Sequence, residues 1–280
     1  MMDMAPRAAQ RRAGPGVHIS SAGGMAIDIK NLTVRFEVAG RPPVLAVDNV
    51  SLSIRAGEFV SLVGPSGCGK TTILNLCTGL LPVAYEGQVS IHGKAPTPGN
   101  PDIAYMLARD SLLPWRTALG NAAYGLEIRN VPQAEREAHA ADLLEKVGLG
   151  AFVDAYPKAL SHGMRQRCAL ARTFCLGSPV FLMDEPFGAL DAQTKLQLED
   201  VLLDLWSAEQ RTVLFVTHDL AEAVALSDRV VVMSARPGRI VADVPIDLPR
   251  PRSVRALQKD EAFHHLYAKL WELLEDGSEH

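Results

Sequence analysis

The chain has 280 residues, of which 48% are hydrophobic and 21% charged, as expected for a globular protein with one compact domain or two closely apposed lobes. Its net charge of -4, from 28 basic and 32 acidic residues, argues against the basic surface that nucleic-acid binding needs. No apolar run approaches the roughly 20 residues that cross a bilayer, so any work at a membrane requires a partner protein.

The first predicted elements are a tail and a group of strands. Residues 1–24 are rich in Arg, Ala, Gly and Ser and lack an apolar core long enough for a secretory signal, so we expect a disordered tail. From Ile27 to Ile54, apolar and polar residues alternate, which predicts half-buried antiparallel strands. The run Phe59 to Val63 then leads into a glycine-rich loop and a helix from Lys70, as a buried strand of an α/β core does.

A helical block is predicted between this strand and the next ones. Strand patterns vanish between Leu107 and Gly177, while the segment from Gln133 to Val147 is amphipathic and is followed by a stop at Gly148. Strand patterns return at Val180–Met183, Val213–Val216 and Val230–Met233, with helices at about Gln193–Glu209 and Leu220–Leu226 between them. We therefore expect an α/β domain over residues 25–250, with a helical subdomain at about 108–178 inserted into it.

The last 30 residues, 251–280, are predicted to form a helical extension. From Phe263 to Leu274 the apolar residues share one helical face, which either packs on its own domain or binds a partner. The four cysteines form no CxxC pair and no Cys/His cluster, so neither a disulfide framework nor a zinc site is indicated, and a reducing cytoplasm suits them.

A phosphate-binding motif follows the strand that ends at Val63. It matches G-x-x-x-x-G-K-[ST] and, with the residue after it, forms the predicted nucleotide-binding set: Gly64, Pro65, Ser66, Gly67, Cys68, Gly69, Lys70, Thr71 and Thr72. The glycines let the backbone curl so that N–H groups and the helix N-terminus face the phosphates. Lys70 would reach the terminal phosphates, and Thr71 could ligate Mg²⁺.

Two acids stand at the end of the strand from Val180 to Met183. A buried parallel strand delivers such residues to the carboxyl edge of its sheet. Asp184 would hold Mg²⁺, directly or through water, and Glu185 would orient the attacking water as general base.

At this point the sequence resembles the ATP-binding subunits of ABC transporters, over nearly all of Ile27 to Gly238. Three further segments carry the resemblance: Leu160 to Arg167 is similar to the family signature LSGGQ, Ala189-Leu190-Asp191 to the D-loop, and His218 stands at the switch histidine. The resemblance implies a RecA-like P-loop NTPase core with an N-terminal antiparallel β-subdomain and an inserted α-helical subdomain. It implies ATP hydrolysis with Mg²⁺, in which Lys70, Glu185 and His218 take part.

The same resemblance implies a nucleotide-sandwich dimer beneath a membrane permease. Ser161, Gly163 and Asp191 would act across the interface with a second ATP-binding subunit, in a homodimer. Ser161 is also a good N-cap for its helix. The protein would then sit at the cytoplasmic face of the plasma membrane, peripheral to it. An extracytoplasmic substrate-binding protein would be an indirect partner, and nucleic acid would not be one.

Three segments resemble the nitrate, sulfonate and taurine importer branch: Leu112 to Arg116, Ala235 to Arg239 and Leu248 to Pro251. The first would lie near the coupling helix of the permease, although Trp115 could equally be a core aromatic residue. Phe36 is the candidate for stacking on adenine, but it too could belong to the core.

Two residues depart from the family pattern. Ala108 stands where the family has a glutamine that touches Mg²⁺ and water, and its methyl group can do neither; Asp110 or water could replace it. His162 replaces a signature glycine, and we expect its imidazole either to contribute to the partner's γ-phosphate or to point into solvent. These departures are the only support for the alternative function, a regulatory nucleotide-binding module with weak hydrolysis, and the presence of Glu185 and His218 argues against it.

Overall fold

The structure, a computed structural model, describes residues 24–277, so the predicted disordered tail lies outside the described residues except for Gly24. The strands are β1 (Met25–Val38), β2 (Arg41–Arg55), β3 (Phe59–Val63), β4 (Tyr85–Ile91), β5 (Ile103–Met106), β6 (Val180–Asp184), β7 (Thr212–Val216), β8 (Arg229–Met233) and β9 (Ile240–Pro245). The α-helices are α1 (Lys70–Cys77), α2 (Ala118–Ala122), α3 (Tyr124–Ile128), α4 (Gln133–Lys146), α5 (His162–Cys175), α6 (Ala192–Glu209), α7 (Leu220–Leu226), α8 (Val254–Leu257) and α9 (Glu261–Asp276). Short 3-10 helices cover Gly150–Phe152 and Pro157–Ala159.

The N-terminal strands form an antiparallel sheet in the order β2-β1-β4. Ile29 at its centre lies opposite Leu52 on one side and Val89 on the other. The predicted alternation is present in β2, where Val50, Leu52 and Ile54 are buried. This sheet contributes one buried face to a core that it shares with the second sheet.

The second sheet has the order β5-β6-β7-β3-β8-β9 and is parallel except for β9. All five residues of β3 are buried, as are those of β6 and β7, because helices and the first sheet cover both faces. Since the carboxyl ends of parallel strands meet at one edge, the loops after β3, β6 and β7 lie together there. The mixed α/β fold predicted from the sequence is confirmed.

The segment between β5 and β6 carries α2 to α5, and no strand occurs there in the described chain. Its core is apolar: Ala140, Leu143 and Leu144 of α4 are buried with Leu170 and Phe174 of α5. This helical segment is continuous with one face of the second sheet, so the start of α5 is fixed relative to the sheet edge.

The C-terminal helix α9 packs on its own domain. Its residues Phe263 and Leu270 are buried, and it contacts α7 and β8. Asp260 caps it by accepting hydrogen bonds from the N–H groups of Ala262 and Phe263 at 2.8 and 3.1 Å. Among residues 24–277, no helix combines the length and apolar character that a membrane crossing requires.

Candidate active site

A cavity of about 210 Å³ opens at the carboxyl edge of the second sheet, beside the glycine-rich loop. It is lined by Phe36, Ala46, Ser66, Gly67, Gly69, Lys70, Thr71, Thr72, Glu185 and Arg236. Six of these residues belong to the predicted nucleotide-binding set, Glu185 is the predicted base, and Phe36 is the predicted adenine contact. Residues that are far apart in the chain therefore meet where the sequence motifs place them.

The glycine-rich loop adopts a conformation that its sequence explains. Gly67 and Gly69 have φ angles of 80° and 103°, which glycine reaches without steric cost. Gly69 also lies so close to β2 that a Cβ there would come within 2.6 Å of Val47 Cγ2. Lys70 is only 5% exposed, and its ammonium donates to the carbonyl groups of Gly64 and Pro65 at 2.7 and 3.0 Å.

The end of β6 meets the start of α1 where the side-chain oxygen atoms of Asp184 and Thr71 lie together. Thr71 Oγ1 donates a hydrogen bond to Asp184 Oδ1 over 3.1 Å. Burial raises the pKa of the Asp184 carboxyl, the neighbouring Glu185 charge adds to this effect, and the Thr71 hydrogen bond and the Lys70 charge oppose it. A hydroxyl and a carboxylate are hard oxygen ligands of the kind that Mg²⁺ prefers, so these two residues fit a magnesium ion.

Glu185 and His218 form a pair at the mouth of the cavity. Glu185 Oε2 lies 3.0 Å from His218 Nδ1, and the His218 side chain is 57% exposed. Glu185 has a φ angle of 44°, uncommon for a residue with a long side chain, and its N–H donates to the Val216 carbonyl at 2.8 Å. Such a strained backbone is maintained by its surroundings and is frequent at functional sites.

A partly buried charge cluster supports the loop that carries His218. Lys195 on α6 binds the carboxylates of Asp219, at 2.6 Å, and Glu222 on α7, while Thr217 donates a hydrogen bond to Glu222. Asp219 also caps α7. Sequence reasoning missed this cluster, since only the packing of α6 against α7 brings Lys195 near the other residues.

Phe36 is half-buried, and its surroundings agree with the core role and leave the adenine contact a prediction. It packs against the core that lies between the two sheets, and it also lines the cavity. Arg236 also lines the cavity, although in the sequence it belongs only to the segment Ala235 to Arg239 that resembles the importer branch.

The signature residues lie away from this cavity. Ser161 is exposed and caps α5, accepting a hydrogen bond from the Met164 N–H at 3.2 Å. Gly163 touches α6, where a Cβ would come within 2.7 Å of Thr194 Cγ2. Asp191 is exposed and accepts a hydrogen bond from the Thr194 N–H at 3.0 Å. Ser161, Gly163 and Asp191 are thus fixed to one another through the starts of α5 and α6, outside the set that lines the cavity.

The structure shows the surroundings of His162 and Ala108, the two residues that depart from the family pattern. The His162 ring faces Arg165, with its Nδ1 3.3 Å from a guanidinium nitrogen, and its Nε2 is buried without a partner in the described chain. Neither ring nitrogen therefore points into solvent. Ala108 is exposed, and Asp110, considered as its replacement at the metal, instead pairs with Arg165 at 2.8 Å.

Trp115 is 70% exposed, so the core role considered for it is wrong. The adjacent Arg116 pairs with Glu127 at 2.7 Å and lies over the Tyr124 ring, which fixes the backbone beside the tryptophan. The exposed ring therefore stands on an ordered segment.

A buried parallel sheet, a glycine-rich loop leading into a helix, and acids at the neighbouring strand end define a P-loop nucleotide hydrolase. The chain belongs to the ABC transporter family, whose sequence model, described as "ABC transporter", matches residues 47–188. It is an ATP-binding, ATP-hydrolysing member of that family, as predicted from the resemblance.

Three relatives show how similar the chain is to other members. It is 47% identical over 232 residues to the uncharacterized ABC transporter ATP-binding protein MJ0412 of Methanocaldococcus jannaschii, covering 83% of this chain and 86% of that protein. It is 42% identical to the nitrate import ATP-binding protein NrtD of Synechocystis, covering 80% and 84%. It is 41% identical to the taurine import ATP-binding protein TauB of Rhizobium johnstonii, covering 80% and 85%.

A solved structure has the same fold. The ATP-binding cassette MJ0796, solved as a dimer in a post-hydrolysis state bound to ADP and Pi, matches with a TM-score of 0.69 at 30% identity. The match covers 80% of this chain and 100% of that one. The P-loop NTPase core predicted from the sequence is confirmed by this likeness.

Proposed function

We propose that the chain is the ATP-hydrolysing subunit of an ABC importer and acts as a homodimer beneath a separate permease. The observation that carries the proposal is one cavity edge that brings together Lys70, the Thr71–Asp184 pair and the Glu185–His218 pair. These are the groups that phosphoryl transfer to water requires: a cation for the phosphates, oxygen ligands for a metal, and a base.

The nucleotide would lie along the cavity. Its adenine would stack on Phe36, and its phosphates would accept hydrogen bonds from the backbone N–H groups of residues 66–71, at the positive end of α1. The Lys70 ammonium, now bound to the carbonyl groups of Gly64 and Pro65, lies next to this path and would turn to the terminal phosphates. Thr71 and Asp184 would hold Mg²⁺, which supplies charge neutralisation at the transferred phosphoryl group.

Glu185 would orient the attacking water and accept its proton. One carboxylate oxygen is occupied by His218, at 3.0 Å, which leaves the other for water. His218 would in turn donate to the γ-phosphate from its second ring nitrogen, since its side chain is exposed at the mouth of the cavity. Because Lys195, Asp219 and Glu222 fix the loop of His218, the two groups stay aligned without further ordering.

The proposal includes a dimer because Ser161 and Asp191 are exposed at the starts of α5 and α6 and make no hydrogen bond to a residue that lines the cavity of the same chain in the part that the structure describes. Ser161 and Gly163 at the exposed start of α5 would face the γ-phosphate in a second copy, where the helix dipole and N–H groups favour an anion. Asp191 would lie at the same interface. The cassette MJ0796, which shares the fold, was solved as a dimer, and this supports the arrangement. Reaching the phosphate with His162 would require its ring to turn away from Arg165.

Import of a small solute such as nitrate, a sulfonate or taurine is supported by the nitrate and taurine import relatives. The exposed Trp115 on its ordered segment would contact the permease at the cytoplasmic face of the plasma membrane. An extracytoplasmic binding protein would deliver the solute to that permease. Selectivity would reside in these two partners, since fold does not specify the substrate.

The test is Mg²⁺-dependent ATP hydrolysis at varied protein concentration, with Glu185→Gln beside the wild type. We expect activity that rises more than linearly with concentration, and a loss of about 10²- to 10⁴-fold in the variant, which removes the base. Sedimentation should show the variant as an ATP-bound dimer. A wild type that binds ATP without turnover, alone and with its permease, would establish the regulatory module instead.

A further inference from the structure

Arg236 lies at the edge of the cavity although neither phosphate motif contains it. It follows β8 and is exposed, and it lines the cavity together with Phe36, Gly67 and Thr72. Its Nε donates a hydrogen bond to the Gly67 carbonyl over 3.3 Å. A second guanidinium nitrogen would be 3.4 Å from a Cβ at Gly67, so the whole group lies against the glycine-rich loop.

The backbone that carries Arg236 is fixed against the same loop. Gly238 packs so closely that a Cβ there would come within 1.8 Å of the Cys68 carbonyl oxygen. The Gly238 N–H donates to Ala46 at 2.9 Å, and its carbonyl accepts from the Asp48 N–H at 3.0 Å. Backbone contacts therefore hold this turn against the P-loop. Arg236 lies beside the nucleotide site without any movement of the backbone that carries it.

The two arginines of this turn are used differently. Arg239 forms an ion pair with Asp48, with its Nε 2.8 Å from Oδ2. Arg236 pairs with no carboxylate among residues 24–277. A guanidinium has five N–H donors, and the Gly67 carbonyl takes one of those of Arg236. Most of its donor capacity and its full charge thus remain open at the cavity edge.

We propose that Arg236 binds the phosphate chain of the nucleotide. An anionic oxygen is the partner that a planar, permanently charged donor fork recognises best. The inference rests on the nucleotide site proposed above and adds a second cationic contact to that of Lys70 in the same cavity. Because the turn is already ordered, little conformational entropy opposes the contact.

The test compares nucleotide affinities of Arg236→Gln and the wild type. Glutamine retains an N–H donor for the Gly67 carbonyl but carries no charge. If Arg236 only stabilises the loop through that hydrogen bond, nucleotide affinity should therefore be unchanged in Arg236→Gln. We expect the dissociation constants of ATP and ADP to rise roughly tenfold, with adenosine, competing against a fluorescent ATP analogue, unchanged. The dependence of ATP affinity on salt should also weaken. Arg236→Lys should recover part of the affinity.

Controls separate this inference from the nucleotide site itself. Arg239→Gln changes the paired arginine of the same turn, and ATP affinity should stay within about twofold of the wild type. Lys70→Ala should abolish ATP binding if the site is correct. Wild-type affinity in Arg236→Gln with loss in Lys70→Ala would overturn the role of Arg236 alone, as would equal weakening of adenosine. ATP binding that survives Lys70→Ala would overturn the nucleotide site.

Discussion

The buried carboxyl group of Glu199 makes the stability of the protein depend on pH. Glu199 lies on α6 and is 2% exposed, one helical turn from Lys195. Lys195 is already bound to Asp219 and Glu222, so Glu199 faces two carboxylates and a lysine that they share. Burial, reinforced by the charge of Glu222, raises the pKa of Glu199 to about 8. The perturbation is Glu199→Gln, which replaces the carboxyl by a neutral group of the same shape.

The direction in which the free energy of unfolding changes with pH follows from proton binding in the folded and unfolded states. The folded protein keeps the Glu199 proton up to a pH of about 8, whereas the unfolded chain releases it near the ordinary value of 4.5. The folded state therefore binds more protons between these limits, and the free energy of unfolding falls as pH rises through them. One pKa unit corresponds to about 1.4 kcal/mol, so the loss reaches about 3 kcal/mol at pH 7 as an upper bound. Glutamine, which does not ionise, avoids this loss.

Urea unfolding at pH 5, 6, 7 and 8 measures the effect. The difference in unfolding free energy between Glu199→Gln and the wild type should grow with pH in favour of the variant, by up to about 3.5 kcal/mol between pH 5 and pH 8. Asp204→Asn is the control, because Asp204 is an exposed acid on the same helix. Parallel curves for Glu199→Gln and the wild type across this range would refute the reasoning.

Two further predictions concern the interfaces. Gly163→Ala should lower the free energy of unfolding by about 1–3 kcal/mol and weaken ATP-dependent dimer formation, since its Cβ would meet Thr194 Cγ2 at 2.7 Å. Adding Thr194→Ser removes that methyl group and should restore both properties. If the effects of the two substitutions on stability simply add in the double variant, the contact is contradicted. Trp115→Ala should change the melting temperature and the ATPase rate of the isolated protein little, because the ring is 70% exposed, while reducing co-purification with the permease. Full retention of the permease by this variant would exclude Trp115 from the interface.

The sequence predicted the elements whose apolar residues repeat regularly and are buried. It missed β4 and β9, which are edge strands in the orders β2-β1-β4 and β8-β9. An edge strand is paired on one side only and tolerates polar residues and glycine. In β4 the first four residues are exposed and include Gly87, so its pattern is weak. The short helices α2 and α3 have too few residues for a periodic pattern to be read.

The same distinction holds for the site. Residues 64–72 and the pair Asp184–Glu185 could be predicted because each motif is contiguous, and its chemistry can be read without knowing the fold. The contact between Glu185 and His218 joins residues 33 apart and was not predicted, since the family resemblance indicated only that His218 takes part in hydrolysis. Arg236 reaches Gly67 across 169 residues. That contact depends on β8 lying next to β3, which no local pattern specifies.

The central place of β3 has a consequence for synthesis of the chain. Its partners are β7 and β8, with Phe59 paired to Val213 and Val60 to Arg229. At about 5–20 residues per second, ribosomes make the intervening residues, about 150 of them, in roughly 8–30 seconds. During this time the buried strand that leads into the P-loop has neither neighbour. A nascent chain that ends before residue 212 thus has an apolar strand without its neighbours, and such unpaired strands are prone to aggregate.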